Sequence, residues 1–273
     1  MTSAFLIFSL VLSPSSSDLA LIGLSNRKAD ETILEESEQA FAAGVAARND
    51  AAVARRHFLE AARGYDELLV RGCRNPALAS NRSRAHRLAG DLPRAIAAIH
   101  DGLAVARYDR PLQVELEDAR SAVAYSHDDL AALCRPRPTG GIGTRMSPLE
   151  ALLAAGLLWL FACLGVARFA MTRVPHWIIA SGVALLALLI LAGMWWQDAR
   201  RQTRERARPL LIVKDDSSLK LGNGESWPDR LKWRLPRGVE ARELTRRGGW
   251  VQVELAGGTV GWLPEASTIG AAQ

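Results

Sequence analysis

The sequence has little cysteine, almost no lysine and none of the signatures that accompany catalysis. Three Cys in 273 residues, one of them inside an apolar run, exclude a disulfide-dense scaffold, and no CxxC pair offers a metal corner. Cys73 and Cys134 can pair only in an exported chain. Neither sits in a setting that lowers a thiol pKa, so free thiols are the expectation. The five His, at 57, 86, 100, 127 and 176, stand singly, and HExxH, GxSxG and Walker loops are missing. The densest ionisable cluster, His127-Asp128-Asp129, reads as a solvated helix end, and the glycines at 140, 141 and 143 read as linker. These absences point away from an enzyme, and no catalytic, cofactor-binding or metal-ligating residue is expected.

Lys occurs only at 28, 214, 220 and 232, so Arg supplies nearly all of the 34 basic charges that outweigh 29 acidic ones, for a net +5. That balance suits an anionic membrane surface, and no nucleic-acid partner is expected. Apolar residues make up 49% of a chain that is also 23% charged, which requires them to be concentrated in blocks. Ala151 to Ala167 and Trp177 to Trp196 carry no charge, and each is long enough to cross a hydrocarbon core of ~30 Å at ~1.5 Å per residue. Two membrane helices are expected, at 149–168 and 175–197. Trp177, Trp195 and Trp196 mark their headgroup ends. The short connection from Arg168 to His176 makes the pair a hairpin, so both flanking regions lie on one side of the membrane. An Arg-rich linker at 198–209 follows, whose Arg200, Arg201, Arg204, Arg206 and Arg208 gain roughly 1 kcal/mol each beside an anionic surface.

Residues 1–17 hold an apolar run from Ala4 to Leu12 followed by Pro and Ser, the pattern of a secretory signal without its basic start. The Arg counts flanking the spans argue for the opposite sidedness, with the flanking regions cytoplasmic. Both readings stay open on the residues alone.

Residues 30–134 are rich in Ala, Leu and Arg, and turns are marked at Arg48-Asn49-Asp50, Asn75-Pro76, Gly90-Asp91 and Arg110-Pro111. A shift of 34 residues superposes Ala61 on Ala95 and Tyr65 on Ile99, a small residue followed by a large one a turn later. A closing helix is expected from about Pro111 to Leu133. The period resembles the tetratricopeptide repeat; an ordinary antiparallel helical array fits the same residues. Arg82 and His86 depart from the repeat pattern. Either array presents a groove for a peptide or helix, and Asn81, Arg82 and His86 are the candidate groove residues.

Short apolar runs at Leu210–Val213, Leu231–Leu235, Val239–Leu244, Trp250–Leu255 and Thr259–Leu263, with Gly pairs at 248–249 and 257–258, predict a small β-barrel over 210–268. In Trp250–Leu255 the alternation sends Val251, Val253 and Leu255 to one face and Trp250, Gln252 and Glu254 to the other. LKLGNGESWP, LPRGVE, GGWVQVEL and GGTVGWLP together resemble a bacterial SH3-type domain. Trp227, Trp250 and Trp262 fall at its aromatic positions, each readable as a ligand contact or as a core residue.

The fold class expected is therefore multidomain: a tetratricopeptide-like array, a two-helix transmembrane hairpin and an SH3-like barrel. This order, with NPALASNRSRAHRLAGDLPRAI as its second repeat, resembles the BatE-like proteins of the Bacteroides aerotolerance system. The resemblance implies a membrane-bound, non-enzymatic scaffold beside von Willebrand-type membrane proteins and a MoxR-type ATPase. The alternative is a peptidoglycan-binding anchor or sensor. Because SH3-type domains of bacteria are largely exported, the resemblance favours placing the soluble regions outside the cytoplasmic membrane.

Overall fold

The computed structural model describes residues 16–136, 148–206 and 208–271. The signal-like segment therefore lies, apart from Ser16 and Ser17, outside the described residues. Eight helices and a five-stranded antiparallel sheet make up the described chain, which divides into two compact units at Cys73 and Arg74.

The first unit holds α1 (Ser16–Ala46) and α2 (Ala51–Val70). Asp50 starts α2 by accepting the amides of Ala52 and Val53, which are otherwise orphaned at a helix start. Ala54, Phe58, Ala61, Ala62, Tyr65 and Leu68 of α2 are buried, and Phe58 meets Phe41 of α1 edge-on with ring centres 5.4 Å apart. The seam is tight where small residues face it: a Cβ on Gly64 would overlap the Ser37 hydroxyl.

The second unit opens with α3 (Pro76–Leu88), α4 (Leu92–Val105) and α5 (Arg110–Ser121). All three use one device. Asn75, Asp91 and Asp109 cap the first turns, and Pro76, Pro93 and Pro111 occupy positions whose amide would have had no intrahelical partner. The closing helix expected from Pro111 to Leu133 is two helices, α5 and the short α6 (Asp128–Cys134). No Gly or Pro separates them. The chain leaves the helix at Ala122 and buries Val123 against the turn at Gly238, a contact from the far end of the sequence that helical periodicity does not encode.

Next come α7 (Pro148–Thr172) and α8 (His176–Arg206), joined by a tight turn in which Arg173 has φ 57°. Leu149–Thr172 and His176–Gln197 are each long and apolar enough to cross a membrane. A core helix of a soluble protein would be mostly covered; only 17% and 11% of the apolar windows are buried here. The two helices pack closely on each other, and a Cβ on Gly165 would overlap Ser181. The segment expected as an Arg-rich linker is helix as far as Arg206, with the Arg200 guanidinium 3.6 Å above the Trp196 ring.

The sheet comprises β1 (Leu210–Val213), β2 (Glu240–Arg247), β3 (Trp250–Leu255), β4 (Val260–Pro264) and β5 (Thr268–Gly270), in the order β4-β3-β2-β1-β5. The run Leu231–Leu235 is not a strand. It lies between Pro228 and Pro236 and makes only the isolated pairing of Leu235 with Ser217, while Thr268–Gly270 supplies the fifth strand by closing on β1. On β3, Val251, Val253 and Leu255 are buried and Trp250, Gln252 and Glu254 are not, as alternation requires.

The helices and the sheet of the second unit share one hydrophobic core. Ile96, Ile99, Leu112, Leu116 and Leu130 belong to the same cluster as Leu211, Ile212, Leu235, Val251 and Leu263. Two glycines permit the junction. Gly238, at φ 91°, adopts a conformation disfavoured for other residues, and a Cβ there would stand 3.1 Å from Val123 and 3.4 Å from Ile96. The amide of Gly257 donates to Leu133 O at 2.8 Å, so the β3–β4 turn touches α6 backbone to backbone. Within the second unit, the helices before α7 and the sheet after α8 therefore form one folded body. A chain that does so must cross any membrane an even number of times in between.

The shared core makes a specific prediction. Ile96→Ala, at a fully buried site, is expected to cost about 2–5 kcal/mol. Hydrogen exchange followed by mass spectrometry should then speed up in peptides of α4 and α5 and equally in β1 and the start of β2. Independent modules would confine the change to the helices.

Candidate functional site

The strongest electrostatic feature lies at the junction of helices and sheet. Glu240 opens β2 and is buried between α4 and α5, an unusual position for a carboxylate. Arg120, near the end of α5, meets it with both arms of its guanidinium, Nε to Oε1 at 2.7 Å and Nη2 to Oε2 at 2.8 Å. His100 of α4 places Nε2 3.2 Å from Oε2. Burial alone would raise the Glu240 pKa, but the His100 charge and the Arg120 hydrogen bonds outweigh it and hold the carboxyl well below the usual range. Breaking such a pair strands a buried charge, at a cost of about 3–5 kcal/mol. What the cluster does chemically is to fix α4 and α5 on the sheet.

The aromatic residues read from the sequence occupy three different settings. Trp250 and Trp262 are half-buried on the face of the sheet away from the core. Trp262 is opposite Gln252 and Trp250 opposite Pro264, which makes the two Trp diagonal neighbours. Lys220 pairs by backbone with Trp262 and by its ammonium with Asp229 at 2.8 Å, and so borders this face. Trp227 lies apart, half-exposed in the loop between β1 and β2, with its ring over Gly222 where a Cβ would overlap it. Trp233, not singled out by sequence, stacks on His127 with ring centres 4.8 Å apart and pins that loop to the start of α6.

The three repeat residues are placed on α3. Asn81 is half-buried, Arg82 reaches Asp101 of α4 at 2.6 Å, and His86 is fully buried. Arg84 and Ser80, not singled out by sequence, both bind Glu115 of α5, at 2.6 Å and 2.9 Å. Their signal in the sequence is only a charge one turn along the same helix.

No family model, curated protein or solved structure matches the chain. Cys73, Cys134 and Cys163 are free thiols, and burial pushes Cys134 up to about 12, which leaves it protonated and inert at neutral pH. Among the described residues, no group of three His, Cys, Asp or Glu is placed to hold a metal ion.

The sign of the Glu240 shift gives a pH prediction. Its folded pKa lies below its unfolded value, so the stabilisation is fully present above about pH 4.5 and is lost as pH falls below it. Urea unfolding of the detergent-solubilised chain should show stability declining below that pH. Glu240→Gln should be weaker at neutrality and nearly flat through the same acidic range; a parallel decline in both would mean that other carboxylates control acid unfolding.

Proposed function

We propose that this chain is a membrane-anchored, non-enzymatic scaffold of the kind that its resemblance to BatE-like proteins suggests. Its apolar hairpin crosses the membrane twice and holds a single body of helices and sheet on one side. The observation that carries this reading is that a shared core joins the residues before and after an apolar, largely uncovered helix pair. Burial of Ala61 with Tyr65 and of Ala95 with Ile99 supports the tetratricopeptide-like reading of the helices. The five-stranded antiparallel sheet supports an SH3-type reading of residues 210–268. Von Willebrand-type membrane proteins and a MoxR-type ATPase are the partners proposed, docked on the exposed surface of α3.

Co-purification from mildly solubilised membranes tests the reading. Asn81→Arg, at a half-buried position of α3, combined with Arg87→Glu, at an exposed one, should lower partner recovery at least tenfold while α3 to α5 stay protected from hydrogen exchange. Undiminished recovery would remove the repeat surface as the docking site. On the proposed sidedness, a reporter active only outside the cytoplasm works after Gln273 and fails between Arg168 and Arg173; the reverse pattern would put the body in the cytoplasm.

The pair Trp250 and Trp262 on one non-core face favours peptidoglycan as a second reading. Because the sheet shares its core with the helices, the solubilised full chain is the proper probe. It should pellet with purified cell wall, and Trp250→Ala should not; equal pelleting, or none for either, would dismiss this reading.

A further inference from the structure

The chain enters the sheet beside β2 and runs opposite to it. Pro209 O accepts the Glu243 amide at 2.9 Å, and Leu210 lies opposite Arg242. From Glu243, β2 continues four more residues to Arg247, back in the direction from which the chain arrives. Gly248 and Gly249, at φ 60° and 76°, then turn it sharply, and Trp250 begins the return. At ~3.4 Å per residue this hairpin overshoots the entry point by roughly 14 Å. On the helix side, α8 extends from Gln197, the last residue of its apolar stretch, to Arg206. Those nine residues at ~1.5 Å each also make about 14 Å. The overshoot thus equals in length the extension of the helix beyond its apolar end.

The chemistry at both ends of that distance is cationic. Arg200, Arg201, Arg204 and Arg206 lie along the helix extension, with Arg200 on Trp196. At the hairpin tip Arg246 and Arg247 are exposed. Arg246 is shared with Glu243 and Glu265, whereas Arg247 makes no ion pair with a described residue. The turn between Arg247 and Trp250 has no side chains beyond hydrogen, which leaves a flat tip with a cation and an indole at its rim. Arg and Trp are the side chains that partition into a headgroup layer.

We propose that the β2–β3 hairpin tip, Arg246 to Trp250, rests on the anionic lipid headgroups around α8 and sets the height of the folded body above the membrane. This proposal rests on the two-span reading above. Its test uses the full chain with Cys73→Ser, in lipid nanodiscs containing phosphatidylglycerol or phosphatidylcholine alone. Three spin labels are compared for collision with oxygen and with an aqueous nickel chelate: at native Cys163 in α7, at Thr245→Cys near the tip, and at Asn223→Cys in the exposed β1–β2 loop, the last two with Cys163→Ala.

With phosphatidylglycerol, the label at 245 should collide with nickel several-fold less than that at 223 and more with oxygen. The difference should shrink in phosphatidylcholine and on Arg247→Glu. If 163 lies in lipid while 245 and 223 are equally accessible to nickel, the hairpin does not touch the membrane and the proposal falls alone. If 163 is itself open to nickel, the two-span reading fails and takes the proposal with it. Shielding of 245 from both reagents would mean a protein contact and would likewise overturn it.

Discussion

The bidentate pair between Arg120 and Glu240 is the constraint on which the second unit depends. It joins residues 120 positions apart, from a helix that precedes the apolar hairpin and a strand that follows it. Around it the requirements are severe. The carboxylate is buried, and removing either partner leaves a poorly solvated charge without its counterpart. Burial of Ile96, Leu112 and Val123 against the sheet provides the bulk of the attraction, which is non-directional. The ion pair supplies direction: only one placement of α5 along β2 satisfies both arms of the guanidinium at once.

That constraint reaches the topology of the whole chain. A two-module protein with a flexible linker could carry its modules on either side of a bilayer, and the parity of its crossings would be free. Here a single core draws on both flanks, so parity is imposed by packing. On the proposed topology the hairpin of α7 and α8 is the shortest solution, because it returns the chain to its starting side with only a tight turn at Arg173. The close approach at Gly165 and Ser181 keeps the two helices together along that path.

Local features were legible in the sequence because they depend on local physics. Turn residues mark the helix starts at Asn75-Pro76, Gly90-Asp91 and Arg110-Pro111, and there the structure caps the helices with Asn75, Asp91 and Asp109. The alternation of Trp250–Leu255 sorts its residues onto the faces they occupy. The two apolar helices follow from an absence of charge. What escaped were features created by distant partners. The break between α5 and α6 exists because Val123 finds Gly238, and the run Leu231–Leu235 is turned aside by flanking prolines and by Trp233 stacking on His127. The ionic junction was the least legible, since Arg120 and His100 look like ordinary surface residues of amphipathic helices until Glu240 is placed beside them. Of the candidate site residues, the sequence set Trp250 on the non-core face of its strand, whereas its sharing that face with Trp262 follows from strand pairing; His86 is buried and Arg82 is tied to Asp101.

The shared core also has a consequence for how the protein is made. During synthesis α3 to α6 emerge first, and their apolar faces at Ile96, Leu112 and Leu130 have no sheet to cover them until residue 271 has been reached. At ~5–20 residues per second, the interval between Cys134 and Ala271 amounts to roughly 7–27 seconds. For that time the nascent helices hold an open, sticky seam while the two apolar helices are made. Completion of the fold is thus a late, long-range event, and a ribosome stalled within α8 would leave behind a half-core that cannot close.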